Sequence, residues 1–208
     1  MQATQRIRWS GLAAMLGGAL WVAWAIMVAR KPEGCIGSEC DLPGSSTRGY
    51  SDLVPVLAVA ALLIAAGVAG LVARARAAGH FGRLGRWGLG LGIAGAGLMA
   101  TGLLVQSLFF EGDFPLMPVF VVPGLLALAS GFLLFAVAVL RVVPRWVGAL
   151  LVAGALVLIG VNDQNERILL AAPFGVAWMA TGYALWTGTG EGAARGAATA
   201  GRSLSRPS

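Results

Sequence analysis

The residues best equipped for chemistry are the consecutive polar run Asn162, Asp163, Gln164, Asn165 and Glu166, together with Glu111 and Asp113 in a second short acidic turn and Gln106 and Ser107 just before it. If the two turns meet at one end of a helical bundle, their carboxylate and amide oxygens suit a hard cation such as Ca²⁺ or Mg²⁺. They could equally form the outer mouth of a path for small solutes. The plainer reading is a solvated turn, because a loop at the end of a bundle is polar whatever it does. Gln106 is the one large polar side chain well inside an apolar segment, where an amide more often bonds helix to helix than helix to ligand.

The rest of the chemical inventory is thin. His80 is the single histidine; with no second His or Cys on its side of a membrane it cannot complete a zinc site, and a lipid-headgroup contact is its natural use. Cys35 and Cys40 have four residues between them, too many for the Cys-x-x-Cys of thiol oxidoreductases, so a loop-stapling disulfide is predicted. Gly90-Leu91-Gly92-Ile93-Ala94-Gly95 spells Gly-x-Gly-x-x-Gly, but it sits in an apolar run with no strand before it and reads as helix packing, not dinucleotide binding. Trp21, Trp24 and Trp178 lie away from the interfacial positions of the other indoles. They could line an apolar pocket, though packing against small residues is the commoner use. No phosphate loop, nucleophile elbow or paired intramembrane carboxylates occur, so neither enzyme activity nor a cofactor or resident metal is expected.

The elements that must position these residues are transmembrane. Of 208 residues 58% are hydrophobic and 12% charged, with mean hydropathy +0.81, whereas a water-soluble domain carries roughly a quarter charged residues. Six apolar runs are long enough, or nearly so, to cross roughly 30 Å of hydrocarbon: residues 10–29, 53–73, 88–110, 119–140, 146–161 and 168–187. Residues 1–9 form a short basic N-terminus, and 188–208, rich in Gly, Ala and Ser, read as a disordered tail. The fold class predicted is therefore an all-α, six-span membrane bundle. A cleaved signal peptide is the rival reading of the first run, because a basic start and the small-x-small triplet Ala23-Trp24-Ala25 are present. Its continuation through Ile26-Met27-Val28 favours a retained anchor.

Charge sets the orientation. Arg74, Arg76, Arg83 and Arg86 crowd the connection between the second and third runs, with no acid among them. Arg-rich short loops stay in the cytoplasm. With that loop inside, eleven of the fifteen cations fall on the cytoplasmic side and eight of the nine acids outside, both termini being cytoplasmic. The arginine-dominated, Gly- and Ala-rich composition resembles that of a GC-rich bacterium and places the chain in the cytoplasmic (inner) membrane. A net charge of +6 spread over such loops points to anionic lipid headgroups as partners and not to nucleic acid.

Three features of the runs carry structural predictions. Gly88, Gly92, Ala96 and Ala100 recur every four residues in the third run, a small face that lets helices approach closely and marks this helix as the central one. Each odd run opens with Arg-Trp and then Gly, and the even runs share Ala60-x6-Gly67, Gly124-x6-Gly131 and Gly175-x6-Gly182, a pattern of three repeated hairpins or of convergent interfacial chemistry. Pro173 should free the carbonyl of Leu169 and kink the sixth run. The fifth run, at 16 residues and about 24 Å, is too short unless it begins near Val142 or the polar run after it dips into the outer leaflet. The function expected is that of a non-catalytic accessory or assembly subunit meeting another membrane protein or a second copy; the alternative is a small-solute or lipid-handling transporter.

Overall fold

A computed structural model describes residues 2–35, 40, 43–44, 46, 48–109 and 116–188. Of these 83% are helical, and no strand occurs among them. The helices are α1 (Gln2–Ala29), α2 (Val54–Ala77), α3 (Arg83–Phe109), α4 (Met117–Val139), α5 (Arg145–Val157) and α6 (Ala172–Thr187). Five of the six helical segments are long and apolar enough to cross a membrane, and Arg145–Gly160 is the short one. The α5 helix opens at Arg145 and passes into a 3-10 turn over Leu158–Gly160, so the earlier start near Val142 does not occur. The whole segment rises only about 25 Å.

The central helix is α1, not α3. It packs extensively on both α2 and α6, and α6 leads on through α5 to α4, whereas the one extensive helix contact of α3 among the described residues is with α4. Glycine explains why α1 can serve two neighbours. A Cβ on Gly11 would stand 2.7 Å from the carbonyl oxygen of Gly182, and one on Gly175 2.6 Å from that of Gly18. These two helices touch backbone to backbone, antiparallel, at glycines seven residues apart on each. On the adjoining face of α1, Ala14 meets Gly67, and a Cβ on Gly17 would lie 3.0 Å from the Ala60 carbonyl. Without a solvent-driven hydrophobic effect between helices in lipid, such close approach supplies the dispersion contact that holds them.

The α3–α4 contact repeats the seven-residue spacing, with Gly88 set against Gly131 and Phe135, and Gly95 against Gly124 and Leu128. This corrects the predicted face of α3. Gly88 and Gly92 belong to it, but Ala96 and Ala100 are exposed, and the face continues through Gly95, Met99 and Gly102. An alternation of four and three follows a slowly supercoiling seam, while a strict spacing of four drifts off it. The three x6 pairs of the even runs all lie at helix contacts, the first and third against α1 and the second against α3.

Pro173 does not kink a helix; it begins one. Residues Glu166–Ala171 form a 3-10 turn, and α6 opens at Ala172 with Pro173 in its first turn. A first-turn residue needs no amide partner, so proline costs nothing there, and the Leu169 carbonyl accepts from the Ala172 amide instead. At the opposite end the Arg74 guanidinium donates to the Ala184 carbonyl (3.1 Å) in the last turn of α6, and Arg8 stacks 4.7 Å above the Trp186 ring. Cations there satisfy orphan carbonyls and complement the helix dipole.

Candidate functional site

Because α6 starts level with Trp21 of α1, the 162–171 stretch fills the space beyond it and lies beside the C-terminal part of α1. The polar run therefore closes on the connection between α1 and α2. The Gly34 amide donates to the Gln164 carbonyl (2.8 Å), and the Arg48 amide donates to the Gln164 side-chain oxygen (2.7 Å). Arg48 itself is only 5% exposed. Its Nε donates to the Pro32 carbonyl (2.9 Å), and its Nη1 to the carbonyls of Asp163 and Asn165 (3.1 Å each). One planar fork thus ties together three strands of loop that no sheet or helix organises.

Asp163 accepts from both sides. Its Oδ1 receives the Gln164 Nε2 (3.0 Å), and its Oδ2 the Tyr50 hydroxyl. Within the run, Asn162 accepts from the Gln164 amide and Asn165 from the Arg167 amide, at 2.9 Å each, the local side-chain turns for which asparagine is suited. Glu166 is exposed, and the exposed pair Lys31–Asp52 stands at the rim. The predicted disulfide is present, Cys35 to Cys40 with Cα atoms 5.1 Å apart, and the Cys35 amide donates to the Ser46 carbonyl (3.0 Å).

Of the predicted site residues, the structure brings Asn162 and Asp163 into this clasp and leaves Glu166 at its edge. Gln106 stands apart on α3, whose helical neighbour is α4. Glu111 and Asp113 lie outside the described residues. Arg48 and Tyr50 were missed: both looked like ordinary members of a polar loop, and only the fold reveals that the loop is covered. Each Asp163 oxygen already accepts a donor, from Gln164 and from Tyr50. Among the described residues no three His, Cys, Asp or Glu side chains converge to hold a metal.

Burial first, then the Asp163 charge and the hydrogen bond to it, push the Tyr50 phenol well above its ordinary value of 10.0. The proton is therefore retained in the fold while the unfolded chain would release it. Stability from this group is complete below pH 10 and declines as pH rises above it. Unfolding midpoints taken between pH 8 and 11 should fall more steeply for the native chain than for Tyr50→Phe; parallel slopes would show that the phenol does not titrate differently on folding.

Beneath the clasp an aromatic column runs inward. Trp24 meets Tyr50 edge-on (6.3 Å) and Trp21 (5.8 Å), Trp21 meets Phe174 (5.1 Å), and Phe174 meets Phe132 (5.0 Å) and Trp178 (6.2 Å). Trp21 donates to the Ala171 carbonyl (3.1 Å), whereas the buried indole nitrogens of Trp24 and Trp178 have no acceptor among the described residues. The chain matches no protein family model, no curated protein and no solved structure.

Proposed function

We propose that the chain is a non-catalytic accessory or assembly subunit of a bacterial cytoplasmic membrane, with six spans, both termini in the cytoplasm, and a pseudo-repeat of three hairpins. The observation that carries the reading is the closure of the outer polar set. Arg48, Asp163 and Gln164 direct their polar atoms at one another and at main chain, an arrangement that holds loops together and leaves little to offer a substrate. Orientation rests on the arginines: Arg74, Arg76, Arg83 and Arg86 lie at the end opposite the disulfide, and disulfides persist on the oxidising side of a membrane. The repeat rests on the Arg-Trp openings of the odd spans and on the small-residue x6 pairs of the even spans, each of which lies at a helix contact.

The partner would meet α3, the least buried of the long helices. Opposite its α4 contact it exposes Gly90, Ala94, Gly97 and Thr101, and a Cβ at Gly90 or Gly97 meets nothing within 4 Å. Affinity capture from membranes in mild detergent should return the protein with a second membrane protein or a second copy. Gly97→Leu should release it while leaving thermal unfolding unchanged. A monomer purified alone would sink the reading.

A transporter is the second reading, favoured by the two acceptor-less indoles below the clasp. Such donors could receive a carbonyl or ether oxygen of a small apolar molecule. Proteoliposomes that move a panel of small solutes and fluorescent lipids no faster with the native chain than with Asp163→Lys would remove it.

A further inference from the structure

The arginines at the end opposite the disulfide fall into two groups. Arg8 lies over Trp186, Arg74 caps α6, and Arg76 lies 5.2 Å from the Phe81 ring centre; these hold the fold. Arg83, Arg86, Arg141 and Arg145 are exposed and have neither an ion pair nor a hydrogen-bond acceptor among the described residues. The described acids Glu33, Asp52, Asp163 and Glu166 cannot serve them, for they belong to the connections and turns at the clasp end.

These four side chains share one corner of the molecule. A Cβ on Gly85 would stand 3.4 Å from the Ala138 side chain, and one on Gly88 2.6 Å from the Phe135 amide, so the first turn of α3 lies against the last turn of α4. Arg141 follows α4 by two residues, and Arg145 opens α5. The starts of α3 and α5 therefore flank the end of α4, and both present first-turn amides and the positive end of a helix dipole to the same region. Trp87 and Trp146, next in sequence to Arg86 and Arg145, are 66% and 53% exposed. Indoles in that position settle at headgroup depth in a bilayer.

We propose that this corner binds the phosphate headgroup of an anionic phospholipid in the leaflet at that end, with Arg83, Arg86, Arg141 and Arg145 as ligands and Trp87 and Trp146 against the glycerol and upper acyl region. Charge complementarity selects the occupant: four unpaired guanidinium groups and two helix starts face a surface whose anions are lipid phosphodiesters. The inference does not depend on whether the chain is a subunit or a transporter.

The test uses the full chain in detergent, offered equal amounts of phosphatidylglycerol and phosphatidylcholine and read by native mass spectrometry. The native chain should retain phosphatidylglycerol preferentially, and the variant Arg83→Gln/Arg86→Gln/Arg141→Gln/Arg145→Gln should lose that preference by about tenfold or more. Arg30→Gln/Arg167→Gln, which removes two exposed arginines at the clasp end, is the control and should keep it. Equal preference in the four-site variant and the native chain would overturn the proposal. So would displacement of the lipid by inorganic phosphate at matched concentration, which would make this a site for a free anion. Should the four-site variant fail to insert, the native chain still decides. Brominated phosphatidylglycerol should quench its tryptophan emission more than brominated phosphatidylcholine, and Trp87→Phe/Trp146→Phe should abolish the difference; equal quenching by both lipids refutes the site.

Discussion

Alanine at Gly95 or Gly182 is expected to destabilise the bundle by about 1–3 kcal/mol each, and leucine at either position to prevent its assembly. Alanine at Gly90 or Gly97 should be neutral, or stabilise by up to about 1 kcal/mol. All four are helix-interior glycines, and what separates them is the neighbour. A Cβ at Gly95 would stand 2.5 Å from the Leu128 amide nitrogen and 2.6 Å from the Gly124 carbonyl oxygen. A Cβ at Gly182 would meet the Gly11 carbonyl and stand 2.6 Å from the Met15 amide. Main chain cannot rotate aside as a flexible side chain can, so the helices must separate, and the dispersion contact along the whole seam weakens with distance. At Gly90 and Gly97 nothing lies within 4 Å, and the methyl group only removes the conformational freedom of glycine from the unfolded chain. Reversible unfolding in mixed micelles measures all four. Equal effects at the four positions would mean that the seams are not where the helices touch.

Gly182→Ala should also be harsher than Gly95→Ala. The α1–α6 seam joins the central helix to the one that leads on to α5 and α4, so opening it disturbs the main core around Trp178, Leu185 and Ala14. The α3–α4 seam attaches a peripheral helix, and its loss could leave the remainder assembled.

This contrast also marks where sequence is a poor guide in a membrane protein. Apolar runs and Arg-rich loops locate the helices because the cost of burying charge in hydrocarbon is large and local. The shortness of α5 and the Cys35–Cys40 staple were legible for the same reason: each depends on a few adjacent residues. Which helix is central was not, because a face turned to lipid and a face turned to a neighbour are equally apolar. Gly88 faces α4 and Gly92 meets Gly131 through its backbone, yet a strict spacing of four carried the prediction onto exposed Ala96 and Ala100 in place of Gly95 and Gly102. The role of Pro173 turned on whether a 3-10 turn or an α-helix precedes it, a choice fixed by how residues 166–171 settle against α1. The clasp depends on contacts more than a hundred residues apart, and no local pattern distinguishes Arg48 from a solvated loop cation.

Arg48→Ala should cost about 3–5 kcal/mol. Three main-chain carbonyls, those of Pro32, Asp163 and Asn165, lose a charged donor together, and hydrogen bonds to a charged group contribute about 1.5–3 kcal/mol each before water replaces what it can reach. Lysine should rescue only part of this, since one compact ammonium group cannot reproduce a planar fork spanning three oxygens. Lys31→Ala, which breaks the exposed pair with Asp52, should cost less than about 1 kcal/mol. Hydrogen exchange at the Gly34 and Arg48 amides, which donate to the carbonyl and side-chain oxygens of Gln164, reports the clasp directly and should accelerate in Arg48→Ala and not in Lys31→Ala. The result also bears on function. If Arg48→Ala both opens the clasp and lowers global stability, the polar set is a structural tie and the subunit reading gains. If the amides exchange freely while the bundle unfolds at an unchanged midpoint, the clasp is a local lid over Trp24 and Tyr50, and the aromatic column beneath it becomes the path to investigate.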